Sequence, residues 1–348
     1  MNSSPDSKRK SKKRKVLTDQ LFNRLYLVNV FDDDFPSNSS LSIVDSYSPC
    51  VRGSCTLAWH LPADPLNIQY YRRCLVIPGE IPYFIPSPRT PYLPPEQSDS
   101  FVRQPRFTSL LPLLLTAQRT GIDVRQYNII SERNSLRKIA MNNEVYTIGV
   151  VKFGSSIFLR RYDTYQTINR NDIGYRFEQM CTTGNYLDGN YIQLIEGHIG
   201  TLKTLMTGET DAVERRTGQS IELKCHRKPD NQDIQDWWLQ AFLSGVTKVI
   251  HGCRALDDPE RLINMVEYPV SEMSHEQYKN RTLEFLYQVL QFLSSNVIEG
   301  RNYLLSRRID PTTRKHRLYL YEVANKTDKE KLTFLTEELL NRLLVTTR

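Results

Sequence analysis

Residues 202–225 read LKTLMTGETDAVERRTGQSIELKC and carry two short charged motifs, Glu209-Thr-Asp211 and Glu222-Leu-Lys224. The residues around these motifs predict strands over 202–213 and 220–225, with a connection short enough for a hairpin of adjacent strands. Because residues two apart on a strand point to the same face, the charged side chains within each motif converge. If the two strands are neighbours, three carboxylates and one ammonium group meet at one place.

Three carboxylates that meet in this way have the chemistry of a divalent-metal site. Hard cations such as Mg²⁺ and Mn²⁺ prefer carboxylate oxygens, and a bound cation removes the repulsion within such a cluster. Hydrolysis of a phosphodiester or a pyrophosphate then needs a water that the metal activates. In this interpretation Lys224 stabilises charge on the attacked phosphate or orients the water, and Gln240 holds the water from a helix predicted over 234–243. Taken singly, each carboxylate is equally well explained as a solvated strand residue, so the hypothesis depends on the ordered set.

The sequence around the motifs interleaves helical and extended patterns without an internal repeat. Helices are predicted over 108–118, 171–181 and 329–345, and a long amphipathic helix is predicted to begin at a capping box of Ser274 and Gln277. Further strands are predicted over 145–152, 155–162, 191–195, 247–252 and 317–323, and the recurring prolines of 78–105 predict an extended segment. The order of elements predicts an α/β (α+β) fold with a mixed central β-sheet flanked by helices, in a single domain over residues 16–348.

The net charge of the chain is concentrated at its N-terminus. The formal charge is +7, but residues 1–15 contain seven lysines and arginines and one aspartate, so residues 16–348 sum to only +1. A basic run without apolar periodicity predicts a disordered arm and a nuclear localisation signal, with a solvated tail of weak phosphate affinity as the alternative. The pI of about 9.0 therefore describes the arm and gives no evidence that the whole surface binds nucleic acid.

Other classes of protein are disfavoured by composition. No apolar run reaches the roughly 18 residues of a membrane-spanning helix, and no apolar stretch near the N-terminus marks a secretory signal. The six cysteines form no CxxC pair and have no histidine at zinc-ligand spacing, so neither a disulfide framework nor a zinc module is expected.

Four motifs together resemble a known family. The segments GYRFEQMCTTG (174–184), GETDAVE (208–214), IELKC (221–225) and WWLQAFLSGVTKVIHGCR (237–254) resemble corresponding motifs of the DXO family of RNA decapping and exoribonuclease enzymes. The resemblance extends over roughly residues 129–254, and its most specific part is the strand with Glu222 and Lys224 followed by the helix with Gln240.

The resemblance implies a nuclease core of the D…ExK type that uses a pair of Mg²⁺ or Mn²⁺ ions. It implies action on RNA 5′ ends in quality control: removal of incomplete or atypical caps, NAD caps and 5′ pyrophosphate, followed in some members by 5′ to 3′ digestion. By the same mapping, metal would be held by Glu178 (through a water), Glu209, Asp211, Glu222 and the backbone carbonyl of Leu223. Catalysis would involve Glu209, Asp211, Glu222, Lys224 and Gln240, and the substrate would contact Arg133, Glu209, Lys224 and Gln240.

The Arg133 segment departs from the family pattern. Members of the family usually have an aromatic residue before this arginine and a glycine after it, whereas Glu132 and Asn134 stand there in this chain. This difference leaves the carboxylate set intact but changes the expected contacts to the RNA strand, and with them the substrate preference.

Two other functions fit the same motifs. A homologue that keeps the fold without activity would act as a scaffold for a partner such as a processive 5′ to 3′ exoribonuclease, and a DNA nuclease would share the metal core. The six side chains Glu178, Glu209, Asp211, Glu222, Lys224 and Gln240 favour the enzyme, because an inactive descendant has no chemical reason to keep all of them.

Overall fold

The computed structural model describes residues 19–31, 42–58, 66–96, 101–103, 109–162, 167–169, 171–183, 189–310 and 312–344. Within these ranges a ten-stranded mixed sheet forms the centre of the protein, and a four-stranded sheet lies beside it. The predicted α/β class with a mixed central sheet flanked by helices is therefore confirmed. None of the helices in the described ranges is long and apolar enough to cross a membrane.

The large sheet is mostly antiparallel. Its strands are, in spatial order, β1 (Tyr26–Phe31), β16 (His316–Glu322), β15 (Asn302–Ile309), β6 (Thr147–Phe153), β7 (Ser156–Tyr162), β5 (Ile129–Glu132), β10 (Leu202–Glu209), β9 (Gly189–Ile199), β2 (Cys50–Ala58) and β3 (Leu75–Val76). Only β5 among these strands runs parallel to both of its neighbours. Its C-terminal end therefore lies at the same edge of the sheet as the C-terminal end of β10, where the candidate site begins.

The second sheet contains the Glu222 motif. Its strands are, in spatial order, β11 (Ala212–Val213), β12 (Ser220–His226), β13 (Lys248–Arg254) and β14 (Leu262–Pro269). β12 and β13 are parallel, so the chain must cross over between them, and a helix makes this crossover. A further pair of short strands, β4 (Phe101–Arg103) and β8 (Thr167–Asn169), is separate from both sheets.

Helices cover both faces of the large sheet. They are α1 (Asp19–Phe22), α2 (Ile43–Ser46), α3 (Ile68–Cys74), α4 (Leu111–Arg119), α5 (Arg133–Met141), α6 (Ile173–Cys181), α7 (Asn231–Leu243), α8 (Glu276–Asn296), α9 (Lys326–Leu332) and α10 (Glu337–Leu344). The helix that crosses from β12 to β13 is α7, and α6 packs against β12. Short 3-10 segments occur at Val124–Gln126 and Val270–Glu272.

The hydrophobic core is divided by the alternation of side chains along the strands. Ile129 and Met206 belong to a core with α5, α7 and α8, whereas their sequence neighbours Ile130 and Leu205 belong to a core with α4 and α10. Successive residues of a strand face opposite sides of the sheet, so two apolar neighbours fill two cores. This two-sided burial explains why these strands are almost continuously apolar, and it holds the end of β10 in a fixed position.

Three sequence-based predictions about elements are wrong. The strand predicted over 202–213 ends at Glu209 and resumes at Ala212 in the other sheet, so the two charged motifs do not lie on adjacent strands of one hairpin. The predicted closing helix over 329–345 is split into α9 and α10, because Phe334 and Leu335 between them fill the core beneath α4. The long helix α8 begins without the expected capping box, since its N-cap, His275, makes no side-chain cap bond. The other predicted helices and strands are confirmed, with ends shifted by no more than four residues.

Some predictions concern residues outside the described ranges. The basic arm of residues 1–15 lies there, and the single domain over 16–348 likewise stays a prediction. Within the described part of the proline-rich segment, residues 78–96 contain no helix and contact the protein through isolated bridges, as expected for an extended segment.

Candidate active site

The candidate site lies where the chain passes from the large sheet to the second one. Glu209 is the last residue of β10, and Asp211 follows before β11 begins. The backbone amide of Leu223 on β12 donates to Oδ2 of Asp211 over 2.8 Å, which fixes the carboxylate against the neighbouring strand. The C-terminal half of α6 brings Glu178 towards the same strand. The structure therefore gathers residues from three different elements around β12.

Glu222 is the centre of the site. It is only 1% exposed, and Lys224 Nζ and Gln240 Nε2 both donate to its Oε1 atom. Gln240 reaches this oxygen because α7 packs back against β13, the strand next to β12. The predicted convergence of Glu222 with Lys224 and Gln240 is thus present, although its cause is the crossover helix and the second sheet.

Arg133 approaches the same carboxylate from the opposite side. It is the first residue of α5, directly after β5, and it is 7% exposed. Its Nη1 donates to the hydroxyl of Ser244 over 2.7 Å and lies 3.5 Å from Oε2 of Glu222. Glu222 is therefore held between two cations, one at each oxygen.

The floor of the site is buried, and its rim is partly accessible. Arg133, Asp211, Glu222 and Leu223 are buried, whereas Glu178, Glu209, Lys224 and Gln240 keep partial exposure. The contacts of Glu222 are therefore largely shielded from bulk water, whereas the surrounding side chains remain partly accessible.

The carboxylates of the site differ in how well their charge is stabilised. Burial raises the pKa of Glu178 and of Asp211 well above the ordinary range, and nearby carboxylates raise it further. Burial likewise raises the pKa of Glu209 to about 7, against the opposing effect of Arg133. Burial acts in the same direction on Glu222, but Lys224 and Arg133 outweigh it and lower its pKa. The charge of Glu222 is thus compensated by cations of the protein. The other three carboxylates, Glu178, Glu209 and Asp211, have too little positive charge near them to offset their burial.

Lys224 shows the complementary effect. Burial alone lowers the pKa of a lysine, but Glu222 and Asp211 outweigh burial here and raise the pKa of Lys224. Lys224 is therefore held as an ammonium at neutral pH, in contact with Glu222 and close to the other carboxylates.

The donor set fits a hard divalent cation. Its side-chain donors are carboxylate oxygens, which Mg²⁺ and Mn²⁺ prefer, and a bound cation would offset the burial that raises the pKa of Glu178, Glu209 and Asp211. Across the described residues, however, no three acidic, histidine or cysteine side chains converge to coordination distance. Glu222 Oε1 is engaged by Lys224 and Gln240, so cation binding at this oxygen requires a small rearrangement of those two side chains.

Two residues of the site were not predicted from the sequence. Ser244 lies four residues after Gln240, a spacing that places both on one side of α7 and that makes Ser244 detectable in retrospect. Tyr175 on α6 is close enough to Glu209 and Glu178 that burial and these carboxylates raise the pKa of its phenol. Aromatic residues are common on buried helix faces, so no sequence signal separated Tyr175 from the core.

Comparison with known proteins agrees with this geometry. The family described as RAI1-like PD-(D/E)XK nuclease matches residues 94–340. Comparison with curated proteins gave no match.

Several solved structures share the fold. Rai1 of Candida albicans, in complex with pU5 and Mn²⁺, superposes with a TM-score of 0.62 at 18% identity, over 90% of this chain and 99% of that one. Rai1 of Scheffersomyces stipitis, in complex with (3′-NADP)⁺ and calcium, has a TM-score of 0.61 at 17% identity, over 89% and 99% of the two chains. Dxo1 of K. lactis, in complex with manganese, has a TM-score of 0.59 at 12% identity, over 85% and 96%.

The family match settles the classification. It extends over well more than half of the chain and includes every residue of the candidate site from Arg133 to Ser244. The family expected from the four sequence motifs is confirmed, and with it an enzyme of the nuclease class that uses divalent cations. The chain belongs to the RAI1-like PD-(D/E)XK nuclease family.

Proposed function

We propose that this protein hydrolyses RNA 5′ ends with the help of Mg²⁺ or Mn²⁺. The observation that carries the proposal is Glu222, a buried carboxylate bound by Lys224 and Gln240 beside three carboxyl groups whose pKa values are raised. Such a set has little structural value in itself, because burying uncompensated like charges is costly. Its retention is explained by a cation and a polyanionic substrate.

The side chains of the site have distinct roles in this proposal. A bound divalent cation would supply Lewis-acid activation of a water and would stabilise charge on the phosphate. Glu209, Asp211, Glu222 and the Leu223 carbonyl would hold the cation, with Glu178 in support, as the family resemblance implies. Lys224, kept charged by Glu222 and Asp211, turns towards the attacked phosphate and stabilises the negative charge that develops there.

Gln240 and Arg133 complete the set of polar groups. The Gln240 amide, which now donates to Glu222, orients the attacking water or a phosphate oxygen. The Arg133 guanidinium, fixed by Ser244, contacts the RNA backbone. Arg133 is positioned by its bond to Ser244 before any substrate binds, which reduces the entropy lost in the reaction, whereas Gln240 must first release Glu222.

The proposed substrates are RNAs with incomplete or atypical caps, NAD caps or 5′ pyrophosphate. The complexes of fungal Rai1 proteins with pU5 and with (3′-NADP)⁺ support both an RNA 5′ end and a dinucleotide as ligands of this fold. Digestion in the 5′ to 3′ direction after the first cleavage belongs to the same proposal. So does action in the nucleus in RNA quality control, with the basic run of residues 1–15 as its support.

A panel of matched substrates tests the proposal. RNAs of one sequence carrying a triphosphate, an unmethylated cap, an NAD cap or a monophosphate would be incubated with the full chain, together with the matching DNA. Each would be measured with Mg²⁺, with Mn²⁺ and with chelator, and released pyrophosphate, cap dinucleotide, NAD and nucleotides would be separated by chromatography. The proposal expects metal-dependent release from at least one modified RNA end and little action on DNA.

A DNA nuclease and an inactive scaffold protein would each give a different result with the same panel of substrates. Equal cleavage of DNA would indicate a general nuclease. Binding of Mn²⁺ without cleavage of any RNA end would indicate a scaffold, and addition of a processive 5′ to 3′ exoribonuclease would then show whether that enzyme is stimulated. Lys224→Ala is the matched control, because it should lose turnover and keep metal binding, an ammonium having no lone pair for a cation.

A further inference from the structure

One buried amide connects the two sheets beside the candidate site. Gln193, on β9 of the large sheet, is 5% exposed. Its Oε1 accepts a hydrogen bond of 3.1 Å from the hydroxyl of Thr210 and one of 3.0 Å from the hydroxyl of Ser220. Both hydroxyl groups are buried as well, so this single oxygen satisfies two donors that are shielded from water.

Thr210 and Ser220 both lie close in sequence to carboxylates of the candidate site. Thr210 separates Glu209 from Asp211, and its own amide donates to the Tyr191 carbonyl of β9 over 3.0 Å. Ser220 is the first residue of β12 and lies two residues before Glu222, on the same face of the strand. Gln193 therefore links the carboxylates at the end of β10 to the carboxylate on β12.

Few other bonds control this separation. β10 and β12 belong to different sheets, and the strand that connects them, β11, pairs with β12 through only Ala212 and Val213. Between Glu209 and Ala212, the amide of Thr210 donates to the Tyr191 carbonyl and Asp211 accepts from the amide of Leu223. The paired hydrogen bonds to Gln193 add a side-chain link from the large sheet to both sides of the gap.

We propose that Gln193 is a positioning residue that sets the distance between the Glu209–Asp211 pair and Glu222, and thereby sets the affinity for the divalent cation. The inference rests on the proposed function, since it assumes that these carboxylates share a cation. Divalent cations require ligand oxygens at closely defined distances, and residues that orient ligands from behind commonly change metal affinity or activity by roughly 10- to 100-fold when replaced.

The test compares variants that keep shape and remove one polar group. Gln193→Met keeps the length of the side chain and removes the acceptor, and Thr210→Val removes the hydroxyl at constant shape. Thr210→Ser, which keeps the hydroxyl, is the conservative rescue. Thr147→Val is the matched control, because Thr147 shares an equally buried 3.0 Å hydroxyl bond with Ser306 between β6 and β15 of the large sheet.

Three quantities would be measured on the full chain. The dissociation constant for Mn²⁺ follows from the electron paramagnetic resonance signal of the free ion, which does not depend on activity. The melting temperature without metal reports the cost to the fold. Turnover and KM would be measured on the RNA end that the wild-type protein cleaves best.

Gln193→Met and Thr210→Val are each expected to weaken Mn²⁺ binding roughly 10-fold or more and to lower kcat more than they raise KM. The double variant should bind Mn²⁺ about as weakly as either single variant, because both remove the same link. Thr210→Ser and Thr147→Val should bind Mn²⁺ with wild-type affinity, even where Thr147→Val lowers the melting temperature to a similar extent.

Wild-type Mn²⁺ affinity in Gln193→Met would overturn the inference and leave the proposed function standing. So would a loss of affinity in Thr147→Val equal to that in Thr210→Val, since the effect would then follow general stability. If the wild-type protein itself bound no Mn²⁺ and cleaved no RNA end, the proposed function would fail first and the inference with it.

Discussion

The amide of Leu223 donates to Oδ2 of Asp211, so a residue of the connecting segment is held by the strand that carries Glu222. This bond orients the Asp211 carboxylate before a cation arrives. Asp211 therefore has two functions that substitutions can separate. It accepts the hydrogen bond from the Leu223 amide, and it provides a negative charge for the cation.

We expect Asp211→Asn to keep the fold and to lose divalent binding. The amide oxygen of asparagine can still accept the bond from Leu223, and the negative charge is absent. Asp211→Ala removes both, and the buried Leu223 amide without a partner should cost about 1–3 kcal/mol of unfolding free energy. Melting curves with and without Mn²⁺ measure both effects. Equal stabilisation by Mn²⁺ in Asp211→Asn and the wild type would exclude Asp211 as a ligand.

Glu222→Gln and Glu178→Gln should have opposite effects on the metal-free protein. Glu222 compensates the charge of Lys224 and Arg133, so its neutralisation leaves these two cations with less compensating negative charge and should cost about 3 kcal/mol. Glu178 has a raised pKa because of burial and neighbouring carboxylates, and its neutralisation removes an unfavourable charge. Chemical denaturation in the presence of chelator measures the difference. Turnover should fall in both variants, and a gain of stability in Glu222→Gln would contradict the ion pairs described above.

Stabilisation by Mn²⁺ should increase with pH. Burial raises the pKa of Glu209 to about 7 from its ordinary value of 4.5. A carboxyl group whose folded pKa is raised stabilises the folded protein while it is protonated, below about pH 4.5, and this contribution is lost as the pH rises through about 7. A cation restores stability by binding the ionised form. The difference in melting temperature with and without Mn²⁺ should therefore be larger at pH 8 than at pH 6, and a pH-independent difference would speak against carboxylate ligands.

Arg133→Ala should weaken binding of 5′-monophosphate RNA by on the order of 1–3 kcal/mol, the range for a lost charged hydrogen bond. Arg133→Lys keeps the charge and loses the planar fork, so it should recover only part of the affinity. Ser244→Ala removes the 2.7 Å bond that fixes the guanidinium and should have a smaller effect of the same sign. Titrations by fluorescence anisotropy compare the three. Unchanged affinity in Arg133→Ala would assign this residue to the fold alone, as the partner of Glu222.

Deletion of residues 1–15 should move a fluorescent fusion out of the nucleus while turnover of the purified protein stays within a few-fold. The acidic cluster is distant in sequence from the arm, and residues 16–348 are close to neutral. Imaging and a turnover assay on short RNA at moderate salt test the two halves of this prediction. A large loss of turnover would show that the arm belongs to the substrate site.

The sequence by itself determined which chemistry the site carries. The carboxylates, Lys224 and Gln240 were identified from residue type and order, and the contacts of Lys224 and Gln240 with Glu222 are present in the structure. About half of the helices and strands in the described ranges were also predicted, because apolar periodicity is a local property that burial imposes directly on the sequence.

Only the tertiary structure decided how these residues are held. Alternation along a strand tells which residues share a face, but it does not tell which strand lies alongside, so the separation of Glu209 and Glu222 into two sheets was not predictable. The same holds for the partners that come from distant parts of the chain: Arg133, which contacts both Glu222 and Ser244, and Gln193, which accepts from Thr210 and Ser220. A hydrogen bond between residues far apart in sequence depends on how packed elements are placed in space, and no local pattern records that placement.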